Sequence, residues 1–301
     1  MLGLHFSTSI TSSMSMYALA LVIAAAVLHA SWNYLLKKCG GGIGVLSLSA
    51  IVATVALTPF SLFLILANNF VFSPTMVAVV IGGGVLHLIY FLLLDRAYRS
   101  GGDLSVVYPL ARATGPLLTI VVATLFFGER MSLVAVAGAL LIGVSALLLT
   151  GNPAKLFSKD ATAGAGFALL CGCMIASYTV WDKQAVAVLL IPPVVYDWAA
   201  NLSRILMLTP LAMKRQPGAI SRAWTNHRKT VIAIGVLSPL SYILVLTAMV
   251  FTPVSYVAPA RELSILFAAL LGAHALKEGD VRRRTIAALG MVLGVSGLAL
   301  G

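Results

Sequence analysis

The stretch VYPLARATGPL, from Val107 to Leu117, sets an arginine and two prolines inside a run of apolar residues. A guanidinium is held in such a place only against a partner or water, and each proline withdraws one backbone donor. The chemistry open to Arg112 is therefore ionic: recognition of a carboxylate or phosphate, or a lock on groups of a neighbouring helix. Tyr108 shares its helical face, with Gly115 and Thr119, a stripe suited to a cavity wall. Arg261 and Glu262 are adjacent, so they point about 100° apart around a helix. Glu262 is the carboxylate expected to take up and release a proton, the alternative being a fixed ion pair with an arginine on another helix. Asp197, Asn201 and Arg204 stand at i, i+4 and i+7, on one face, with Asp197 near a rim. His29 with Asn33, and His87 with Tyr90, pair on further faces. Each is weighed against ordinary hydrogen-bonded packing, as are the aromatics Trp32 and Tyr178, which are candidates to flank a cavity.

Elements that place such residues must cross a membrane. Of 301 residues, 60% are hydrophobic and 10% charged, and the mean hydropathy is +1.02. A soluble domain carries about 45–50% apolar and about 25% charged residues. Apolar runs fall near 16–36, 43–67, 76–98, 104–127, 131–150, 162–181, 190–213, 230–250, 253–276 and 284–301. Each is long enough for a hydrocarbon core of roughly 30 Å. The expected fold class is all-α integral membrane, with ten transmembrane helices. The first run is expected to be a retained helix, because Lys37 and Lys38 follow it and residues 1–15 carry no Lys or Arg.

The net charge of +11 does not indicate nucleic acid: the basic residues sit in short breaks without interleaved aromatics. Cys171 and Cys173 form a C-x-C within an apolar run with no His or acid beside it, so no metal site is expected. There is no H-E-x-x-H, no G-x-S-x-G and no suitably placed pair of membrane aspartates, so no enzyme and no cofactor are expected.

The two halves repeat one another. ASWNYLLK (Ala30 to Lys37) aligns with ASYTVWDK (Ala176 to Lys183). SVVYPLAR (Ser105 to Arg112) aligns with SYVAPAR (Ser255 to Arg261), and GVSALLL (Gly143 to Leu149) with GVSGLAL (Gly294 to Leu300), at offsets of 146 to 151. Five spans is odd, so the copies must enter the membrane from opposite sides, an inverted repeat with a binding site near the midplane between the halves. The division reads as a tail, 1–15; a first unit, 16–150; a linker, 151–161; and a second unit, 162–301. Arg112 and Arg261 then sit at corresponding depths, roughly 12 Å into spans four and nine, bordering a shared aqueous chamber.

With LHASWNYLLKK, RAYRSGGDLSVVYPLARATGPLL followed by FFGER, and YVAPARELSILFAALLG followed by KEG, the chain resembles a ten-helix member of the drug/metabolite transporter superfamily, of the EamA type. The resemblance implies two inverted five-helix repeats around a central cavity that passes small metabolites or drugs. The deep arginines favour an anionic or zwitterionic metabolite, such as an amino acid, carried by an exporter or facilitator through alternating access. Alternatives are a multidrug or organic-cation efflux carrier, and a non-transporting structural or sensory membrane protein. Expected partners are the substrate and the lipid bilayer of a bacterial inner membrane. Gly290 and Gly294 form a GxxxG, read as close helix packing or as a homodimer contact. Glu129 and Glu278 are expected to end helices at a rim. Outside the three deep arginines, 15 Lys and Arg follow odd-numbered spans and 2, Arg130 and Lys183, follow even ones. This places both termini outside the cytoplasm, whereas the resemblance implies both inside.

Overall fold

The computed structural model describes residues 14–99, 104–150, 162–275 and 281–301, and all regular structure among them is helical. Five helices form the first half: α1 (Met16–Lys38), α2 (Ile43–Ala67), α3 (Pro74–Arg99), α4 (Leu104–Phe127) and α5 (Leu133–Thr150). The second half holds α6 (Thr162–Lys183), α7 (Pro193–Arg215), α8 (Ala219–Phe251), α9 (Val254–Ala260), α10 (Leu263–Ala275) and α11 (Val281–Leu300). Eight helical segments among the described residues are long and apolar enough to cross a membrane. The chain is an integral membrane protein. The ten expected spans are all present as helix, but α5 offers only a shorter apolar segment, Leu133–Leu149. In α7 the polar residues Asp197, Asn201 and Arg204 dilute the apolar run.

Local chemistry sets the ends. Ser15 accepts a hydrogen bond from the Ala18 amide at 3.1 Å and starts α1. Gly40, Gly41 and Gly42, all at positive φ, stop it and turn the chain into α2. Three departures from the expected spans matter for function. α6 does not end at 181: it runs on through a π-helical segment, Gln184–Val188, carrying Asp182 and Lys183 into the interior. The connection 214–229 is largely helical, joined to the span of α8 by a kink at His227. The ninth span is broken at Arg261 and Glu262 into α9 and α10. The Glu129 carboxylate caps α9 at its other end, accepting the amides of Val254 and Ser255, each at 2.9 Å, at the first turn.

Packing is set by small residues. α5 lies along α11, where a Cβ on Gly294 would stand 2.7 Å from the Gly138 carbonyl oxygen, and one on Gly290 would strike Ser145. Gly290 and Gly294 are therefore spent on a contact inside the chain, and a homodimer through them is corrected: that face is already filled. Gly115 is corrected likewise, since its Cβ would lie 2.7 Å from Ile175, so it abuts α6 rather than a cavity. Thr119 is buried and returns its hydroxyl to the Gly115 carbonyl at 2.9 Å. Outward faces are apolar; Phe60, Phe63, Leu125, Phe126 and Leu133 are each more than half exposed, as lipid-facing side chains should be.

Candidate functional site

α4 and the break between α9 and α10 bring three expected residues together. Arg112 places Nε 3.2 Å from Glu262 Oε2 and donates from Nη2 to Ser264 Oγ at 3.0 Å, with both charged side chains buried. Glu262 is thus in the ion pair with an arginine of another helix that its sequence position left open. The Arg261 guanidinium lies 5.6 Å from the Tyr242 ring centroid, within cation–π range. Arg112, Arg261, His29, Ser241, Tyr242 and Ser264 line one narrow cleft, with room for about one water. The two guanidinium groups do share a space, and that space is smaller than a metabolite. His29 meets Trp32 edge to face at 5.0 Å. Asn33 donates to the His29 carbonyl at 2.8 Å and so serves its own helix.

A cavity of about 490 Å³ opens beside this cleft, walled by α1, α2, α3, α7 and α8. Trp32, Asn201 and Arg204 line it, with Ser49, Ser238 and Gln216; the remaining wall is largely leucine, isoleucine, alanine and glycine. Gly42, Arg215 and Gln216 belong to helix ends, so the mouth lies at the membrane face that also carries Lys37, Lys38 and Lys214. Arg204 keeps 24% of its side chain exposed, with Nη2 3.7 Å from Asp197 Oδ1. Asn201 donates to Asp197 Oδ2 at 2.8 Å. The single-face spacing of these three residues therefore brings them into contact. Asp197 is not a wet rim residue, however: it is 1% exposed, because α7 starts inside a collar of packed helices.

A third cluster centres on a carboxylate absent from the expected site. Asp182 is fully buried, accepts a hydrogen bond from Tyr196 at 2.5 Å on Oδ1 and another from Tyr242 on Oδ2, and lies 4.0 Å from His87 Nε2. His87 stacks on Tyr178 at 4.3 Å, and Tyr90 meets Tyr178 edge to face at 5.8 Å. Tyr178 thus contacts the histidine of α3 and does not line the large cavity. The signal that could have found Asp182 is the apolar run AVAVLL after Lys183, which shows that the span has not yet ended.

One sequence-based expectation about charge is corrected. Lys183 is not a loop charge: Nζ donates to the carbonyls of Met249 at 2.6 Å and Thr252 at 3.0 Å, closing the end of α8. The interior also holds acids: buried Asp182, Asp197 and Glu262 stand against Arg112, Arg204 and Arg261. The Tyr108 side chain and Glu278 lie outside the described residues.

Residues 162–300 match the EamA-like transporter family. One solved crystal structure of a protein aligns over 94% of this chain and 96% of its own, with a TM-score of 0.73 and 18% identity, a likeness of fold. No curated protein matches the chain.

Proposed function

On the premise that residues 162–300 belong to the EamA-like transporter family, a family of transporters and not of enzymes, we propose that the chain is a carrier for a small zwitterionic or anionic metabolite with an apolar body. An amino acid with a bulky apolar side chain is the type case. The observation that carries this reading is Arg204, a partly exposed guanidinium on the wall of an otherwise mainly apolar cavity of about 490 Å³. A substrate carboxylate takes the Arg204 fork. An ammonium group faces the Asn201 amide oxygen, and the side chain lies against leucines. The balance of buried acids and arginines favours a zwitterion over a multiply charged anion, because an added net charge would stay uncompensated at depth.

Alternating access between two inverted halves is supported by how helices pair. α1 packs on α8 as α6 packs on α3; α4 packs on α6 as α10 packs on α1; α2 packs on α8 as α7 packs on α3. α2 meets α7, and α5 meets α11, each the counterpart of the other in the repeat. With the mouth on the basic face, the positive-inside tendency makes this the cytoplasm-facing arrangement. The ion pair of Arg112 and Glu262, one residue from each half, then belongs to the closed side, and Arg112, Arg261 and Glu262 govern the exchange between arrangements.

Counterflow in proteoliposomes tests this. Radiolabelled L-leucine and L-phenylalanine are expected to exchange, and Arg204→Gln is expected to raise KM about 10-fold or more, for loss of about 1.5–3 kcal/mol in a charged hydrogen bond. Exchange of tetraphenylphosphonium with none of either amino acid would replace this reading with cation efflux.

A further inference from the structure

Asp182 poses a physical problem that the carrier reading leaves unsolved. Each of its oxygens accepts from a tyrosine hydroxyl, an arrangement that suits a carboxylate. It is fully buried, and among the described residues its partners are Tyr196, Tyr242 and His87, with no Lys or Arg within salt-bridge reach. Two neutral hydroxyls do not compensate a whole charge at depth. Glu262, the carboxylate the sequence singled out for proton exchange, is instead matched by Arg112 at 3.2 Å.

His87 supplies what is missing. Its Nδ1 lies 2.9 Å from the Gly83 carbonyl oxygen. A carbonyl can only accept, so Nδ1 carries the hydrogen. The neutral ring then turns the bare lone pair of Nε2 toward Asp182 Oδ2, at 4.0 Å. A lone pair facing a buried carboxylate is a vacancy for one proton. The approach is built into the backbone: a Cβ at Gly83 would come within 2.5 Å of the Tyr196 hydroxyl. His87 keeps 15% of its side chain exposed while Asp182 keeps none, so the histidine is the more accessible of the two.

We propose that His87 and Asp182 form the proton-binding site that couples this carrier to a pH gradient. The proton adds to the Nε2 lone pair, giving an imidazolium against the carboxylate, and departs by the reverse step with no other bond changed. His87 belongs to the first half, on α3, and Asp182, Tyr196 and Tyr242 belong to the second, on α6, α7 and α8. Bound, the proton makes an ion pair across the halves, far from the cavity mouth; released, it leaves carboxylate facing lone pair and favours their separation. The other charged or titratable groups facing the pair are Tyr178 on α6, Arg204 and Asp197 on α7, and Arg261 at the end of α9. Arg261 sits on the ring of Tyr242, whose hydroxyl holds Asp182, which links the proton site to the arginine cleft.

The coupling rests on the carrier reading; the proton site does not, and two measurements keep them apart. Purified protein carrying 15N-labelled histidine is titrated by NMR in nanodiscs, with His87→Gln to assign the resonance. His87 is expected to hold a proton on Nδ1 throughout and to load Nε2 as the pH is lowered. Asp182→Asn is expected to weaken that proton by at least about 10-fold. A wild-type His87 that never loads Nε2, or one equally basic in a folded Asp182→Asn variant, overturns the site. Should Asp182→Asn not fold, Tyr196→Phe replaces it: with one oxygen of Asp182 released, the proton is expected to bind tighter, and unchanged affinity overturns the site. In proteoliposomes given radiolabelled L-leucine outside, wild type is expected to accumulate label under an imposed pH gradient, and His87→Gln to lose accumulation while keeping counterflow. Counterflow without any response to the gradient overturns coupling and leaves the carrier; absence of leucine counterflow overturns the substrate assignment, and the titration still decides the proton site.

Discussion

At the scale of the residue, the buried charges work by pairing. Arg112 and Glu262 are 8% and 3% exposed, so each lowers the cost of burying the other. Arg112→Ala is expected to cost about 3–5 kcal/mol, because it leaves the buried Glu262 carboxylate without its ion-pair partner, whereas Arg112→Met with Glu262→Leu together recovers most of the loss. Thermal melts in detergent check this, and equal losses in single and double variants would dissolve the pair. If the pair also governs transport, the double variant folds but does not exchange substrate. Arg261→Ala is expected to insert and fold, because its guanidinium is half-buried and rests on a ring, and to abolish flux. Which of these residues belong to the interior was legible in the sequence, since a charge within an apolar run is costly wherever it points. Asp182 was not legible in the same way. Its neighbour Lys183 resembles the basic end of a span, and only the π-helical continuation shows that both are inside.

At the scale of the element, the break between α9 and α10 is the feature on which the site's geometry depends. There the chain tightens, with the amides of Glu262, Ser264 and Ile265 bonding three residues back, while the bound amides of Val254 and Ser255 hold the first turn of α9 in place. Glu129→Ala is expected to destabilise the protein by about 0.5–2 kcal/mol, the range for a lost helix cap, with faster amide exchange over Val254–Ala260. Exchange unchanged in that segment would remove Glu129 from this role. α5 and α11 depend on small residues in the same manner: Gly294→Val is expected to cost about 1–3 kcal/mol or more, since a Cβ there meets backbone, not a flexible side chain. Glu129 was read from its position as the end of a helix, and it does lie at such an end. The helix that it caps is distant in the chain, and nothing local encodes that.

At the scale of the molecule, one wall of helices opens at the basic face, and the ion pair of Arg112 with Glu262 joins the two halves. Cysteines placed at Ser49 and Ser238 are expected to react with a membrane-impermeant maleimide from the face of Lys37 and Lys214, and a cysteine at Val195, fully buried, is not. Substrate should slow labelling at Ser49 and Ser238; labelling indifferent to every amino acid tested would argue for a non-transporting membrane protein. Composition, the approximate positions of the spans and the identity of most interior charges were determined by the sequence alone, because burial in lipid acts on each residue by its own type. Which charges meet was decided by the tertiary structure. Arg112 finds Glu262, and His87 finds Asp182, through the rotation and crossing of helices far apart in the chain, and these depend on the summed fit of many small side chains that no local pattern records.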